Sequence, residues 1–123
     1  MRLVLDSDPR IHTIRQYGAG RIIVGDQVLV SACIVSAQRL VADWTGVSPA
    51  ELDAAALTPL LELQPSIILL GLLETHAPPQ RSLVSGLQRR GIAVETMNLG
   101  AACRTYNVLV QDHRPVVAGL FPV

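Results

Sequence analysis

The chain contains no lysine; all ten of its cationic side chains are arginine. That rules out a Schiff-base lysine and the lysine of a phosphate-binding loop. It has no excess of either charge, with ten basic against ten acidic side chains. Such a balance leaves no electrostatic footprint for nucleic acid or an anionic membrane surface. Cysteine is scarce: Cys33 and Cys103 are far apart, in apolar or helical surroundings. They read as two buried thiols of an intracellular protein, and the sequence leaves their pairing open. Three scattered histidines, His12, His76 and His113, have no ligand spacing with them, so neither a metal site nor a cofactor is expected. Long apolar runs are missing too. The longest, Ile67 to Leu73, falls far short of the roughly 20 residues of a membrane-spanning helix. The opening MRLVLDSDPR is too acidic and its apolar stretch too short for a signal peptide. The expectation is a soluble, cytoplasmic protein with no membrane insertion.

What is present is apolar bulk. Half of the 123 residues are hydrophobic, enough for the core of one domain without staples. Residues 1–10 read as a tail or edge strand, because Pro9 argues against a central one. The domain is expected over 11–123. Residues 11–44 read as a block of β-hairpins: an extended run to Tyr17, a break at Gly18-Ala19-Gly20, then strands on either side of Gly25-Asp26. Ala32–Val35 and Arg39–Trp44 read as further strands. At Ser48 the period changes. Ser48, Pro49 and Glu51 form a capping box with proline at the first helical position. Leu52, Ala55, Ala56, Leu60 and Leu63 then share one helical face, with Pro59 expected to split or kink the helix.

Ile67–Gly71 is an uninterrupted apolar strand, a helix follows over Gln80–Arg90 with Gly91 closing it, and Ile92–Thr96 is the next strand. This strand–helix–strand unit predicts a parallel pair. Asn98 caps a third helix near Ala101–Gln111, and Pro115–Phe121 closes the sheet. The expected fold is α/β: one three-layer domain whose mixed central sheet holds a βαβ core flanked by helices, plus an N-terminal β-hairpin region.

Ligands in parallel α/β sheets bind outside the carboxyl ends of the strands. There the sequence offers Glu74, His76, Glu95 and Asn98, beside a helix carrying Cys103, Tyr106 and Asn107. Glu74 or Glu95 suits an acid or base and His76 a proton shuttle. Cys103 near a helix N-terminus suits a nucleophile, although no histidine stands at a distinctive spacing from it. The bland reading competes at each position. Cys103 serves as a small packing residue, Tyr106 buries its ring and bonds its hydroxyl, Asn107 ties a loop backbone, and the glutamates are solvated. No catalytic residue is assigned.

The order of motifs is distinctive: Tyr17-Gly18-Ala19-Gly20-Arg21-Ile22, Pro65-Ser66-Ile67-Ile68-Leu69-Leu70-Gly71, Gly91-Ile92-Ala93-Val94-Glu95, Ala102-Cys103-Arg104-Thr105-Tyr106-Asn107 and Arg114-Pro115-Val116-Val117. Over roughly residues 11–121 the chain resembles a small domain family of unknown function. That family includes a mitochondrial respiratory complex I assembly factor, an adipogenesis-associated animal protein, and bacterial and archaeal relatives. The resemblance implies a three-layer α/β/α domain with an extra hairpin layer, acting through protein contacts, and it carries no catalytic residues. The resulting expectation is a non-enzymatic interaction or assembly module with a protein partner, itself included. The alternative is a small-molecule-binding domain or enzyme using the strand-end cleft around Glu95 and Cys103. Where relatives tend to carry Gly-Thr-Gly after the central strand, this chain has Gly71-Leu72-Leu73. That substitution predicts an apolar surface for a partner beside Leu72 and Leu73.

Overall fold

The computed structural model describes residues 10–18 and 20–123. The tail or edge strand expected over residues 1–10 lies, apart from Arg10, outside them. Two sheets and three helices make up the domain. Strands β1 (Ile14–Gly18), β2 (Arg21–Val24) and β3 (Gln27–Leu29) form an antiparallel three-stranded sheet in that order. The five-stranded sheet holds β4 (Cys33–Ser36), β5 (Leu40–Val41), β6 (Ile67–Leu72), β7 (Ala93–Asn98) and β8 (Val116–Leu120). Its order is β5-β4-β8-β6-β7. The βαβ expectation holds: β6 runs parallel to β7 and to β8, while β4 is antiparallel to β8, so the sheet is mixed.

Alternation along the central strands divides the core in two. Leu69, Val116, Ala118, Leu120, Cys33 and Val35 point to one face, where they meet helix α3 (Leu99–Gln111) together with Ile14, Ile22, Val24 and Leu29 of the hairpin sheet. Ile68, Leu70, Leu72, Val117, Ile34 and Phe121 point to the other. There they meet α1 (Ala54–Leu61) through Leu57 and Leu60, and α2 (Arg81–Arg89) through Leu87. The expected three layers with a hairpin addition are therefore present. Gly71 brings α3 onto β6. A Cβ there would stand 2.7 Å from the Ala102 Cβ and 2.9 Å from the Leu120 Cδ2, closer than such atoms pack.

Three expectations are corrected. First, the residue 11–44 block divides between the two sheets. Every residue of β4 is buried, so it joins the main sheet between β5 and β8 rather than the hairpins. The strand expected over Arg39–Trp44 shrinks to β5, because the chain leaves the sheet to let Trp44 Nε1 donate to the Ala56 carbonyl at 2.7 Å. Second, the Ser48 capping box closes only a 3-10 turn, Pro49–Glu51. The chain breaks at Leu52-Asp53 and the Asp53 carboxylate caps α1 by accepting from the Ala56 N–H at 2.9 Å. The restart shifts the helical frame, so Ala55 is exposed and Leu57 is buried, while Pro59 sits inside the helix without splitting it. Third, α3 begins at Leu99, with Asn98 as its cap as expected.

Helix ends follow local rules. Gly91, at φ +83°, takes the left-handed position after α2 that glycine occupies without strain. His113 occupies the same kind of position after α3 at φ +57°, and there a side chain costs about 1 kcal/mol.

Candidate functional site

The polar cluster of α3 is built into the core. The Asn107 carboxamide joins both backbone groups of Ile14: its Oδ1 accepts from the Ile14 N–H at 2.8 Å and its Nδ2 donates to the Ile14 carbonyl at 2.9 Å. One side chain thus takes the place of a neighbouring strand and fixes β1 to α3. Tyr106 buries its whole ring and its hydroxyl donates to the His12 carbonyl at 2.7 Å, two residues before the Asn107 contact at Ile14. The sequence placed Cys103, Tyr106 and Asn107 on one face, and that face points inward. On the outer side of α3, Arg104 donates to the Tyr17 hydroxyl and lies over the Tyr17 ring, making a second clasp between the hairpin and the helix.

Cys103 is fully buried against the same core as Cys33, and both are free thiols. Burial pushes each thiol up to about 12. For Cys103 the neighbouring Cys33 adds to that rise, outweighing the attraction of Arg104. A buried thiol held in the neutral form is a poor nucleophile. Burial likewise raises the Tyr106 hydroxyl above its ordinary value.

The acids stand apart from this group. Strand β7 continues to Asn98, so Glu95 lies within it, paired with Leu69, about 10 Å short of the strand end. Its register partner shows that it lies on the α3 face of the sheet, as Cys103 does, but it is exposed while Cys103 is not. Glu74 is exposed in the turn after β6. Asn98 uses its side chain as a cap, accepting from the Ala101 N–H at 2.8 Å.

His76 is different. Its Nδ1 accepts from the Leu73 N–H at 3.1 Å, which leaves the proton on Nε2 to donate to the Val123 carbonyl, also at 3.1 Å. Its ring stands edge-on to Phe121, 6.0 Å between centroids. His76 lines an open cleft of about 350 Å³ with Ser31, Asp43, Thr45 and Phe121. This cleft lies at the carboxyl ends of β6 and β8, beside the 43–48 loop. Sequence reasoning missed Asp43 and Thr45, because their approach to β8 depends on how the chain leaves β5.

The apolar surface expected at Leu72-Leu73 is absent. Leu72 is only 7% exposed inside β6, and Leu73 packs against the α3-side core. Exposed apolar side chains stand elsewhere, notably Val28 at 52% and Val30 at 62% on and just after β3. Among the described residues no cluster of three or more His, Cys, Asp or Glu is placed to hold a metal ion. Nor is any helix of the described residues long and apolar enough to cross a membrane.

Comparison with known proteins agrees with this architecture. A solution structure of a Xanthomonas campestris protein superposes with a TM-score of 0.81 at 30% identity, covering 97% of this chain and 92% of that one. The 13 kDa major membrane protein of Francisella tularensis subsp. holarctica is 28% identical over 108 residues, 83% of this chain and 84% of that protein. Assembly factor 3 of the NADH dehydrogenase [ubiquinone] 1 alpha subcomplex from Xenopus tropicalis is 26% identical over 105 residues, 84% of this chain and 56% of that longer protein. Residues 14–121 match a family profile described only as a protein of unknown function, and the chain belongs to that family, DUF498/DUF598.

Proposed function

We propose that this chain is a protein-interaction module of the assembly-factor type, whose contact surface is the free edge of the hairpin sheet. The observation that carries this reading is β3. Among the described residues it is the last strand of its sheet, and no charged residue interrupts Gln27-Val28-Leu29-Val30. Edge strands of isolated proteins are commonly blunted by charge, proline or a bulge. Here Val28 and Val30 are exposed instead, and the half-buried Ile23 stands across from Val28. Such an edge suits a partner that adds an extended, apolar strand. The clasps made by Asn107, Tyr106 and Arg104 hold this sheet rigidly on α3, so the edge is presented with little ordering cost. The Xenopus relative named as an assembly factor supports the same class of role.

The test is quantitative affinity capture from the native organism, comparing wild type with V28E/V30E. The reading expects co-purified subunits of a multi-protein complex, reduced about tenfold or more by the charged edge. Recovery of the chain alone, as a concentration-dependent dimer lost in V28E/V30E, would assign the edge to a second copy. Equal capture by both variants contradicts the reading.

A further inference from the structure

The opposite end of the main sheet, at the amino ends of β6 and β8, carries a second open cleft of about 380 Å³, lined by Ser36, Gln38, Arg39, Leu63, Arg114 and Pro115 among others. Arg39 closes the tight turn after β4, where Ser36 Oγ accepts from its N–H at 3.2 Å. Arg114 leads into β8, the antiparallel neighbour of β4. Both guanidiniums thus stand at one end of the same strand pair. Among the described residues neither has an ion-pair or hydrogen-bond partner. His12 borders this end as well, its N–H donating to the Ala37 carbonyl and its Nδ1 lying 3.1 Å from the Ser36 carbonyl. Two exposed arginines without a side-chain partner thus line one concavity.

Guanidiniums lining one cleft can grip a phosphate through their parallel N–H donors. The Gln38 carboxamide offers a neutral polar group at the same wall, while the Ser36 hydroxyl is engaged by the Arg39 backbone and shapes the turn. The volume exceeds what a bare oxyanion fills and falls in the range of small-molecule sites. We infer that this cleft seats a small phosphate monoester, with Arg39 and Arg114 gripping the phosphate and the apolar wall of Leu63 and Pro115 receiving the organic part. This inference stands apart from the edge-strand reading, since the two surfaces share no residue.

The test is a two-dimensional amide NMR titration of the full chain at 0.15 M salt with ribose 5-phosphate, inorganic phosphate and ribose. The expected result is saturable shifts at Ser36–Arg39, Arg114, Val116 and Val117 with ribose 5-phosphate, and none with ribose. R39Q/R114Q should weaken binding about tenfold or more, while R89Q/R90Q, an equal loss of charge at the end of α2, should leave it unchanged. Tighter binding of the sugar phosphate than of inorganic phosphate supports the monoester. Equal binding of both overturns the monoester and leaves a simple oxyanion seat. Absence of localised shifts, or equal weakening in both double variants, overturns the site altogether. The spectra themselves report whether each variant is folded.

Discussion

Asn107 does more for the fold than any exposed acid of the candidate cleft. Truncation to alanine leaves the Ile14 N–H and carbonyl buried without partners, at a cost of about 3 kcal/mol, measurable by urea unfolding. Asn107→Asp keeps the shape and loses the donor, so it should also destabilise, whereas Tyr106→Phe forfeits one hydrogen bond and costs about 1 kcal/mol. The thiols give a pH signature. Cys33 and Cys103 are held near 12 in the folded chain against an ordinary value of 9.0. The folded state therefore keeps protons that the unfolded state releases. Stability is full below about pH 9 and is lost as pH rises from there towards 12. Thermal melts from pH 8 to 10 should show that fall, and Cys33→Ala/Cys103→Ala should flatten it there, while the Tyr106 hydroxyl, also raised by burial, keeps a fall above pH 10. Both thiols should also resist a water-soluble thiol reagent until the protein is unfolded.

At the scale of elements, Gly71 and His113 give opposite predictions. Gly71→Ala forces apart β6 and α3, and by the usual cost of overpacking should lower stability by about 1–3 kcal/mol. His113→Gly relieves a left-handed side chain after α3 and should raise stability by about 0.5–1 kcal/mol. Chemical denaturation of both variants checks the pair. Much of this level was legible in the sequence. An unbroken apolar run marked β6 as covered on both faces, helical spacing marked α2, and Asn98 and Gly91 marked helix ends, whereas β8, read as the strand that closes the sheet, lies at its centre. What was not legible depended on tertiary competition. Ser48 and Asp53 are both good caps, and only packing against Trp44 shows which one starts α1. Likewise β4 looks in sequence like another hairpin strand, and its membership of the main sheet is set by pairing with β8, more than eighty residues downstream. The inward face of Cys103, Tyr106 and Asn107 followed from spacing, but their partners His12 and Ile14 come from the other end of the chain, where no local pattern announces them.

At the scale of the whole molecule, the groups that looked chemical in the sequence fall into separate environments. Cys103, Tyr106 and Asn107 hold the hairpin sheet to the core, Glu74 and Glu95 face solvent, and His76 braces the turn after β6 against the C-terminal segment. Among the described residues an uncharged strand edge and an arginine-flanked cleft lie at different parts of the domain. The most direct measurement of the central claim is quantitative partner capture by three folded proteins: wild type, E74Q/E95Q/C103A and V28E/V30E. The account predicts that the triple variant retains the wild-type partners within about twofold while the edge variant loses them at least tenfold. Loss of the partners by the triple variant, with the edge variant unaffected, would contradict it.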